Sequence, residues 1–417
     1  MTADDPRVLV TGLGPVTSIG VGSEDFHAGQ LKGVSGVRRI SRFDAADLPV
    51  RIAGEVDLPA ELTLTGREAA TADRTAQLAL AAAKLALEDS GLDLSAEDRA
   101  RIGVVLGTGA GGTNSWESNA ATAHSRGIGR LAARFIPMSM ANGSASRVSV
   151  DLGILGPSST VVTACASGAE ALITAAQMIT SGEADVVLAG GADAPVTPMM
   201  VGGFAKIRAL STRNDEPERA SRPFAADRDG FVLAEGAAVL VLESAAHATA
   251  RGARVLAELR GYGRSSDAHH VTAPHPEGAG AARAIEAALR SARLRPEDIS
   301  YVNAHGTGTT YNDAAEAKAL RTALGEYARR TPVTAPKSMT GHALGAAGAI
   351  EAVATVQSLD TGVVPPTVNL TEPDQDLGLD VVGAVPRDLP VDAVLSNSFA
   401  FGGHNVVLAF TRPPEAA

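Results

Sequence analysis

Residues Ser159 to Met178 read STVVTACASGAEALITAAQM and hold Cys165, the only cysteine among 417 residues. The β-branched run Thr160-Val161-Val162-Thr163 predicts a buried strand, and the alanine-rich segment from Ala166 to Ile179 predicts a helix with little room around it. Cys165 falls at the turn between them. A tight strand-to-helix elbow lifts a side chain away from the sheet, and the free N–H groups at a helix start favour thiolate over thiol. A buried, inert cysteine fits the same string. The stretch alone leaves both readings open, so the partners must decide.

A chain this long with 45% hydrophobic residues can bury a large core, as one big domain or two of ordinary size. Aromatics are only 3%, so Ala, Val, Leu and Ile fill the interior and helices can pack closely on sheets. The net charge of −11 argues against nucleic-acid and anionic-membrane partners. One cysteine excludes an internal disulfide and fits a reducing, cytoplasmic compartment. The opening MTADDPRVLV shows no secretory pattern, and no apolar run approaches the ~18 residues of a membrane span.

Working outward, Arg7 to Thr11 predicts a strand entering a glycine turn, GLGPVTSIG, followed by a short helix over Glu24 to Leu31. Helices are predicted over Arg67 to Ser90, ended by Gly91, and over Met138 to Leu152. Ile102 to Leu106, Ala184 to Ala189 and Ala237 to Leu242 read as buried strands. The string GTGAGG after the first of these misplaces its glycines for a dinucleotide fingerprint. Lys206 to Asp229, rich in Arg, Asp and Pro, predicts a surface excursion. After Arg251 the pattern restarts. RVLAELRGYG is placed like the opening RVLVTGLG, helices follow over Ala281 to Ala292, Asp313 to Leu324 and Ala343 to Leu359, and DAVLSNSFAFGGHNVVLAF echoes the earlier pair ADVVLAGGAD and AAVLVLE. The alternation predicts mostly parallel sheets covered by helices, in two duplicated halves divided as 1–251 and 252–417.

Most of the nine histidines need no special account: His27, His124 and His247 read as surface or packing residues, and His269, His270 and His275 lie in a loop without a metal-ligand pattern. His305 in NAHGTGT and His342 in KSMTGH differ, because glycine-rich flanks let a ligand approach the imidazole. Each is placed in the slot that Cys165 occupies in the first half, so three strand-to-helix elbows can converge. Cysteine with two histidines is not the protease arrangement of Cys, His and an orienting Asn or Asp. Two neutral imidazoles donating to one oxygen would stabilise the enolate left when a malonyl thioester loses carbon dioxide, and that enolate could attack an acyl group held on Cys165.

TACASGAEAL, NAHGTGTTYND, KSMTGHALGAAGAIEAV and NSFAFGGHNVVLAF, with SRPFAADRDGFVLAEGAAVLVLE between them, resemble the type II β-ketoacyl-acyl carrier protein synthases of the thiolase superfamily across nearly the whole chain. The resemblance implies an α/β thiolase-like fold, two duplicated βαβαβαββ halves in a five-layer α-β-α-β-α arrangement. It makes Cys165 the nucleophile, His305 and His342 the pair that promotes decarboxylation, and Lys337 and Glu351 an ion pair holding the histidine geometry and the helix base; a purely structural salt bridge fits the last two equally. It places Cys165 and Phe401 N–H groups in an oxyanion hole and makes Phe401 a gate. Thr307 and Thr309 match phosphopantetheine-binding hydroxyls, Thr272 the malonyl end, and Phe204 the substrate channel. Phe135 matches a residue that a second subunit inserts beside the acyl pocket, implying a homodimer or a heterodimer with a chain-length partner.

The same resemblance implies an acidic acyl carrier protein as partner, docked on Arg67, Arg74, Lys206, Arg208 and Arg213. No cofactor or catalytic metal is implied; a structural monovalent cation near Asn303, Glu351, Ser396 and Asn397 is. Two positions depart from the fatty-acid pattern. Ala110 replaces a larger aliphatic residue on the acyl-pocket floor, and Ala400 replaces a glycine, where a Cβ would penalise positive φ and stiffen the gate. The implied activity is decarboxylative condensation in fatty-acid-type elongation, with the ketosynthase subunit of a discrete polyketide system as rival. A degradative thiolase needs a second catalytic cysteine, and a non-catalytic chain-length partner typically lacks the nucleophile.

Overall fold

The computed structural model describes residues 7–413, so the acidic opening MTADDP lies outside them. Ten principal strands carry the architecture in two sets of five. In the first half they are β1 (Val8–Thr17), β2 (Ile102–Gly107), β3 (Ser158–Val161), β4 (Val186–Asp193) and β5 (Gly236–Ser244). In the second they are β6 (Ala257–Ser266), β7 (Tyr301–Asn303), β8 (Pro332–Thr334), β9 (Ala393–Ala400) and β10 (His404–Thr411). The sets pair in the orders β3-β2-β4-β5-β1 and β8-β7-β9-β10-β6, the same permutation of chain order. In each, the first two pairings are parallel and the last two antiparallel. A shared permutation with matched strand directions is what a duplicated unit produces. The sheets are therefore mixed rather than mostly parallel, because the fifth strand of each half enters between the fourth and the first and runs against both. With the short strands Gly20–Val21, which pairs β1 off the main order, and Asp380–Val381, which pairs β8, one twelve-stranded sheet results, its two sets joined at Leu9–Glu258 and Val10–Ala257.

Six helices cover these sheets: α1 (Arg74–Ser90), α2 (Gly143–Leu152), α3 (Ser167–Thr180), α4 (Ala279–Ala292), α5 (Thr310–Leu324) and α6 (Ala347–Thr361). Strand periodicity of two separates the layers. Val104, Leu106, Val186 and Leu188 face α1 and α2, while Val105 and Val187 face the central pair α3 and α6. In the second half Val394, Val406 and Leu408 face that pair, and Leu395 and Val407 face α4 and α5. Five layers follow, α-β-α-β-α. The central helices touch through small residues: a Cβ on Gly168 would lie 2.9 Å from Ala349 N, and one on Gly348 would lie 2.9 Å from Ala169 N. Closeness of this kind is what an alanine-rich, aromatic-poor interior provides.

The structure departs from the sequence reading at several elements. The segment 12–17 is no turn but the continuation of β1, whose glycines admit α1; a Cβ on Gly14 would meet Ala82 O at 2.0 Å. The helix predicted over Arg67 to Ser90 is two, Gly66–Ala69 and α1, since Asp73 caps the second by accepting from Thr75 N (2.9 Å). Likewise Phe135–Ser139 and α2 replace one helix, because Met140 turns extended between them. The run Thr160 to Thr163 is not buried: β3 is the edge strand and Val162 is 57% exposed. Lys206 to Asp229 is a surface excursion only in part: Lys206, Arg208 and Arg219 are exposed, while Leu210, Phe224, Arg222 and Arg228 are buried. The two buried cations are paired, Arg222 with Asp229 (3.0 Å) and Arg228 with Asp374 (2.7 Å), so a polar composition does not make the whole stretch a solvated face.

Where the halves join, buried Glu243 accepts from Arg251 Nε (2.9 Å) and lies 2.6 Å from His247 Nδ1, while Glu97 lies 3.0 Å from His247 Nε2. Burial alone would lower the His247 pKa, but its bonds to Glu97 and Glu243 outweigh that and raise it. A raised folded-state value contributes stability that is full below the unfolded value of about 6.5 and is lost as pH rises through the folded value. The denaturation midpoint of His247→Gln is expected to fall short of the parent by about 1–2 kcal/mol near pH 5.5, a gap that narrows above neutrality. A pH-independent gap would exclude the charged bridge.

Candidate active site

Cys165 sits on a strained elbow. Ala164 takes φ 49°, a left-handed conformation that costs a non-glycine residue on the order of 1 kcal/mol, and a three-residue 3₁₀ turn, Ala164–Ala166, leads into α3. Ser167 fixes the turn: its Oγ accepts from Thr163 N (2.8 Å) and lies within reach of Ala164 O (2.6 Å) and Thr108 O (3.0 Å). The N–H groups of Phe401 and of Cys165 itself face the sulfur. The elbow does not make a resting thiolate. Burial pushes the thiol up to about 12, and Lys337 and these two N–H groups offset only part of that.

The second half repeats the elbow, but not with a histidine at its apex. Leu344 takes φ 46°, the turn Leu344–Ala346 leads into α6, and the position matching Cys165 is Gly345. His342 precedes that apex by three residues, and His305 follows β7. The two rings nevertheless meet, centroids 5.4 Å apart and nearly perpendicular at 84°. Both imidazoles are held well below the ordinary pKa, first by burial and then by the Lys337 charge. Lys337 Nζ donates to His305 Nδ1 (3.2 Å) and to His305 O (2.6 Å), and it is ion-paired to Glu351. A lone pair on Nδ1 leaves the proton of neutral His305 on Nε2, where it can be donated. Burial lifts Glu351 to about 7 against the pull of Lys337.

Two carboxylates escaped the sequence reading. Glu316 accepts from His305 N and Gly306 N (both 2.9 Å) and from Asn397 Nδ2 (3.0 Å), while Asp313 accepts from Phe224 N (2.8 Å). Both are buried, both have their pKa raised by burial, and both hold the His305 loop from the first turns of α5. The signal was in NDAAE: two acids three apart at a helix start share a face toward the preceding loop. Near them Asn303 Oδ1, Glu351 Oε2, Asn397 Oδ1 and Ser398 Oγ are buried with no hydrogen-bond partner among the described residues. Four such oxygens suit a monovalent cation. Ser398 Oγ joins this set, and Ser396 is buried on the same strand.

A cavity of about 280 Å³ reaches Cys165, His305 and His342 together. Phe204, Ala400, Phe401, Thr272, Thr307 and Thr309 also line it, with Arg208 at its rim. Thr307 and Thr309 hydroxyls are 3.0 Å apart, and Thr272 is exposed beside His270. Phe204 packs on Phe231 (5.4 Å) and Phe401 (6.4 Å), and Phe231 on His342 (5.2 Å), which makes the wall aromatic.

Profiles of the β-ketoacyl synthase N-terminal and C-terminal domains match residues 5–248 and 256–371. The chain belongs to the β-ketoacyl synthase family. The 3-oxoacyl-[acyl-carrier-protein] synthase 2 of Synechocystis sp. is 46% identical over 97% of this chain and 98% of its own length. That of Staphylococcus aureus is 42% identical over 98% and 99%. Among solved structures, the ishigamide ketosynthase/chain length factor aligns with TM-score 0.93 and 36% identity over 98% of this chain and 100% of the other. A Burkholderia phymatum β-ketoacyl synthase aligns with TM-score 0.90 and 36% identity over the same shares.

The remaining positions singled out from the ketosynthase pattern divide. Ala110 packs in one apolar cluster with Cys165, Met200, Phe231 and Leu344 and is not among the residues that line the cavity. Phe135 lies outside the cavity, edge-on to the half-exposed Trp116 at 4.9 Å. Ala400 ends β9 with ordinary negative φ, so its Cβ carries no strain; the positive values fall on Gly402 and Gly403. Of the basic residues, Arg67, Lys206 and Arg208 are exposed. Arg74 is not available for docking, since it is paired to buried Glu235 (3.0 Å), and Arg213 is paired to Asp227 (2.8 Å).

Proposed function

We propose that this chain is a β-ketoacyl-acyl carrier protein synthase acting in fatty-acid-type elongation, with Cys165, His305 and His342 as its reacting groups. The observation that carries the reading is the single cavity shared by one thiol and two neutral imidazoles. In the first half-reaction the sulfur attacks the thioester of an acyl carrier protein and Phe401 and Cys165 N–H groups hold the oxyanion. The carrier leaves as a thiol, taking up the proton that Cys165 loses. In the second, malonyl carrier protein loses carbon dioxide, Nε2–H of His305 and the His342 ring stabilise the enolate oxygen, and the enolate carbon attacks the acyl group. Cleavage of the bond to Cys165 releases a β-ketoacyl carrier protein and leaves a thiolate, which takes up one proton from solvent to restore the thiol. Neutral rings suit this task, because an imidazole must donate to the enolate without protonating its carbon. No added cofactor enters these steps.

Thr307 and Thr309 would bind the phosphopantetheine amides, Thr272 the malonyl end, Phe204 and Ala400 the channel, and Phe401 would gate it. Ala110 would deepen the acyl pocket by the volume it lacks. Arg67, Lys206 and Arg208 form the docking patch for the carrier protein, with Arg74 and Arg213 withdrawn from it. The orphaned oxygens of Asn303, Glu351, Asn397 and Ser398 would hold a structural monovalent cation. The division at 251 belongs to this reading, since one five-strand set ends at Ser244 and the next begins at Ala257. So does a cytoplasmic setting; no helix among the described residues is long and apolar enough to cross a membrane.

Edge strand β3 with exposed Val162, Val150, Leu155 and Ile136 supports a dimer that brings Phe135 to the partner's pocket. The likeness to a ketosynthase/chain length factor pair supports a second reading, a polyketide ketosynthase with a chain-length partner. Offering the purified chain acyl carrier proteins of graded length with malonyl carrier protein separates them by product mass. Elongation of saturated chains by the chain alone is expected. Extension only with a partner subunit or with polyketone primers would transfer the assignment to the second reading.

A further inference from the structure

Asp193, the last residue of β4, is fully buried and does nothing in the steps above. Each of its oxygens accepts two hydrogen bonds. Oδ1 takes Thr108 Oγ1 (2.6 Å) and Ala110 N (3.0 Å), and Oδ2 takes Gly109 N and Gly345 N (both 2.7 Å). Three donors lie on the loop after β2, and the fourth is the residue of the second half that matches Cys165. That loop in turn meets the nucleophile's elbow, for Thr108 O lies 3.0 Å from Ser167 Oγ, which binds Thr163 N and Ala164 O. Contacts within hydrogen-bond distance thus run from Asp193 to the peptide unit that presents the Cys165 N–H, the one proton of Ser167 being shared between Thr108 O and Ala164 O while its oxygen accepts from Thr163 N. Gly345 could not be otherwise: a Cβ there would lie 2.3 Å from Gly109 N and 2.7 Å from Asp193 Oδ2.

We propose that Asp193 is a positioning residue for acyl transfer: it clamps the Thr108–Gly111 loop of the first half to the vacant elbow of the second and so fixes the Cys165 N–H that receives the oxyanion. The role rests on the function proposed above. It is opposed to activation of the sulfur, because the Asp193 charge disfavours the thiolate. With activation set aside, the contribution of this carboxylate is geometric. Four strong donors on one buried carboxylate supply it.

The two effects have opposite signs, which makes them separable in Asp193→Asn. The amide keeps the shape, cannot accept at its nitrogen, and carries no charge. Two rates are read on the full chain: acyl transfer from a saturated acyl carrier protein to Cys165, by intact mass, and Cys165 alkylation by iodoacetamide from pH 7 to 10. Acyl transfer is expected to fall about 10- to 100-fold while alkylation at pH 8 stays level or rises. Parallel loss of both rates overturns the proposal in favour of plain destabilisation, and unchanged acyl transfer overturns it as well. Should Asp193→Asn fail to fold, Thr108→Val removes one donor and leaves the charge. It is expected to slow acyl transfer about 3- to 10-fold with the parent's alkylation profile, and parent-like transfer overturns the proposal. If the parent chain takes no acyl group, the function proposed above fails first, a result distinct from an acylated parent beside an equally competent variant.

Discussion

The Cys165→Ala chain is expected to form no acyl-enzyme and to lose chain extension by more than about 1,000-fold, yet to keep decarboxylating malonyl carrier protein. The split follows from which segments supply which group. The sulfur and its two N–H groups lie on the α3 elbow and the β9–β10 turn, while both imidazoles and the lysine behind them lie on second-half loops that the substitution does not touch. Removing one sulfur from a half-buried residue beside an open cavity costs little stability, so the variant should remain folded and its melting point near the parent's. Intact mass after incubation with an acyl carrier protein measures the first half-reaction, and carbon dioxide release without a primer measures the second. If decarboxylation vanished with the sulfur, the division of labour would be wrong. If extension survived, Cys165 would not be the acyl carrier.

That division was legible in the sequence to an uneven degree. The strand-to-helix elbow around Cys165 was readable because β-branched and alanine-rich runs change period at one residue. The duplication was readable from echoing strings such as RVLVTGLG and RVLAELRGYG, which do become the first strands of the two sets. Pairing order was not, since nothing local says that the fifth strand of each half enters between the fourth and the first. Depth misled in both directions. Val162 looked buried by composition and lies on an edge, where only a neighbouring chain could cover it. Arg222 and Arg228 looked solvated and are interior, each reaching a carboxylate, Asp229 or Asp374, that keeps contact with solvent. The resting state of the sulfur was left open for a related reason: a helix start favours the anion, but desolvation is the larger effect here, and only packing reveals it. Asp193 was invisible as a site residue because its importance lies in which backbone N–H groups converge on it, a property of loop geometry, whereas Glu316 left a signal in its spacing from Asp313 that went unread.

Lys337→Met should both unfold more easily and decarboxylate poorly, and the two losses can be pulled apart. Lys337 and Glu351 are each 2% exposed, so removing the ammonium strands a carboxylate in the interior at a cost of about 3–5 kcal/mol. The double variant Lys337→Met, Glu351→Met removes both charges, fills similar volume, and is expected to recover most of that stability. Its activity should not recover. Lys337 also donates to His305 Nδ1 and to His305 O, and no methionine can replace either bond. Without the donor, His305 is free to carry its proton on Nδ1 and to turn, so the fraction presenting Nε2–H to an enolate falls. Malonyl decarboxylation is then expected to drop about 100-fold or more in single and double variants alike, whereas alkylation of Cys165 persists in the folded double variant. Urea midpoints read the first effect and carbon dioxide release the second. A double variant that regained both would mean that the pair serves only the fold, and that the tautomer of His305 is set by something other than the lysine behind it.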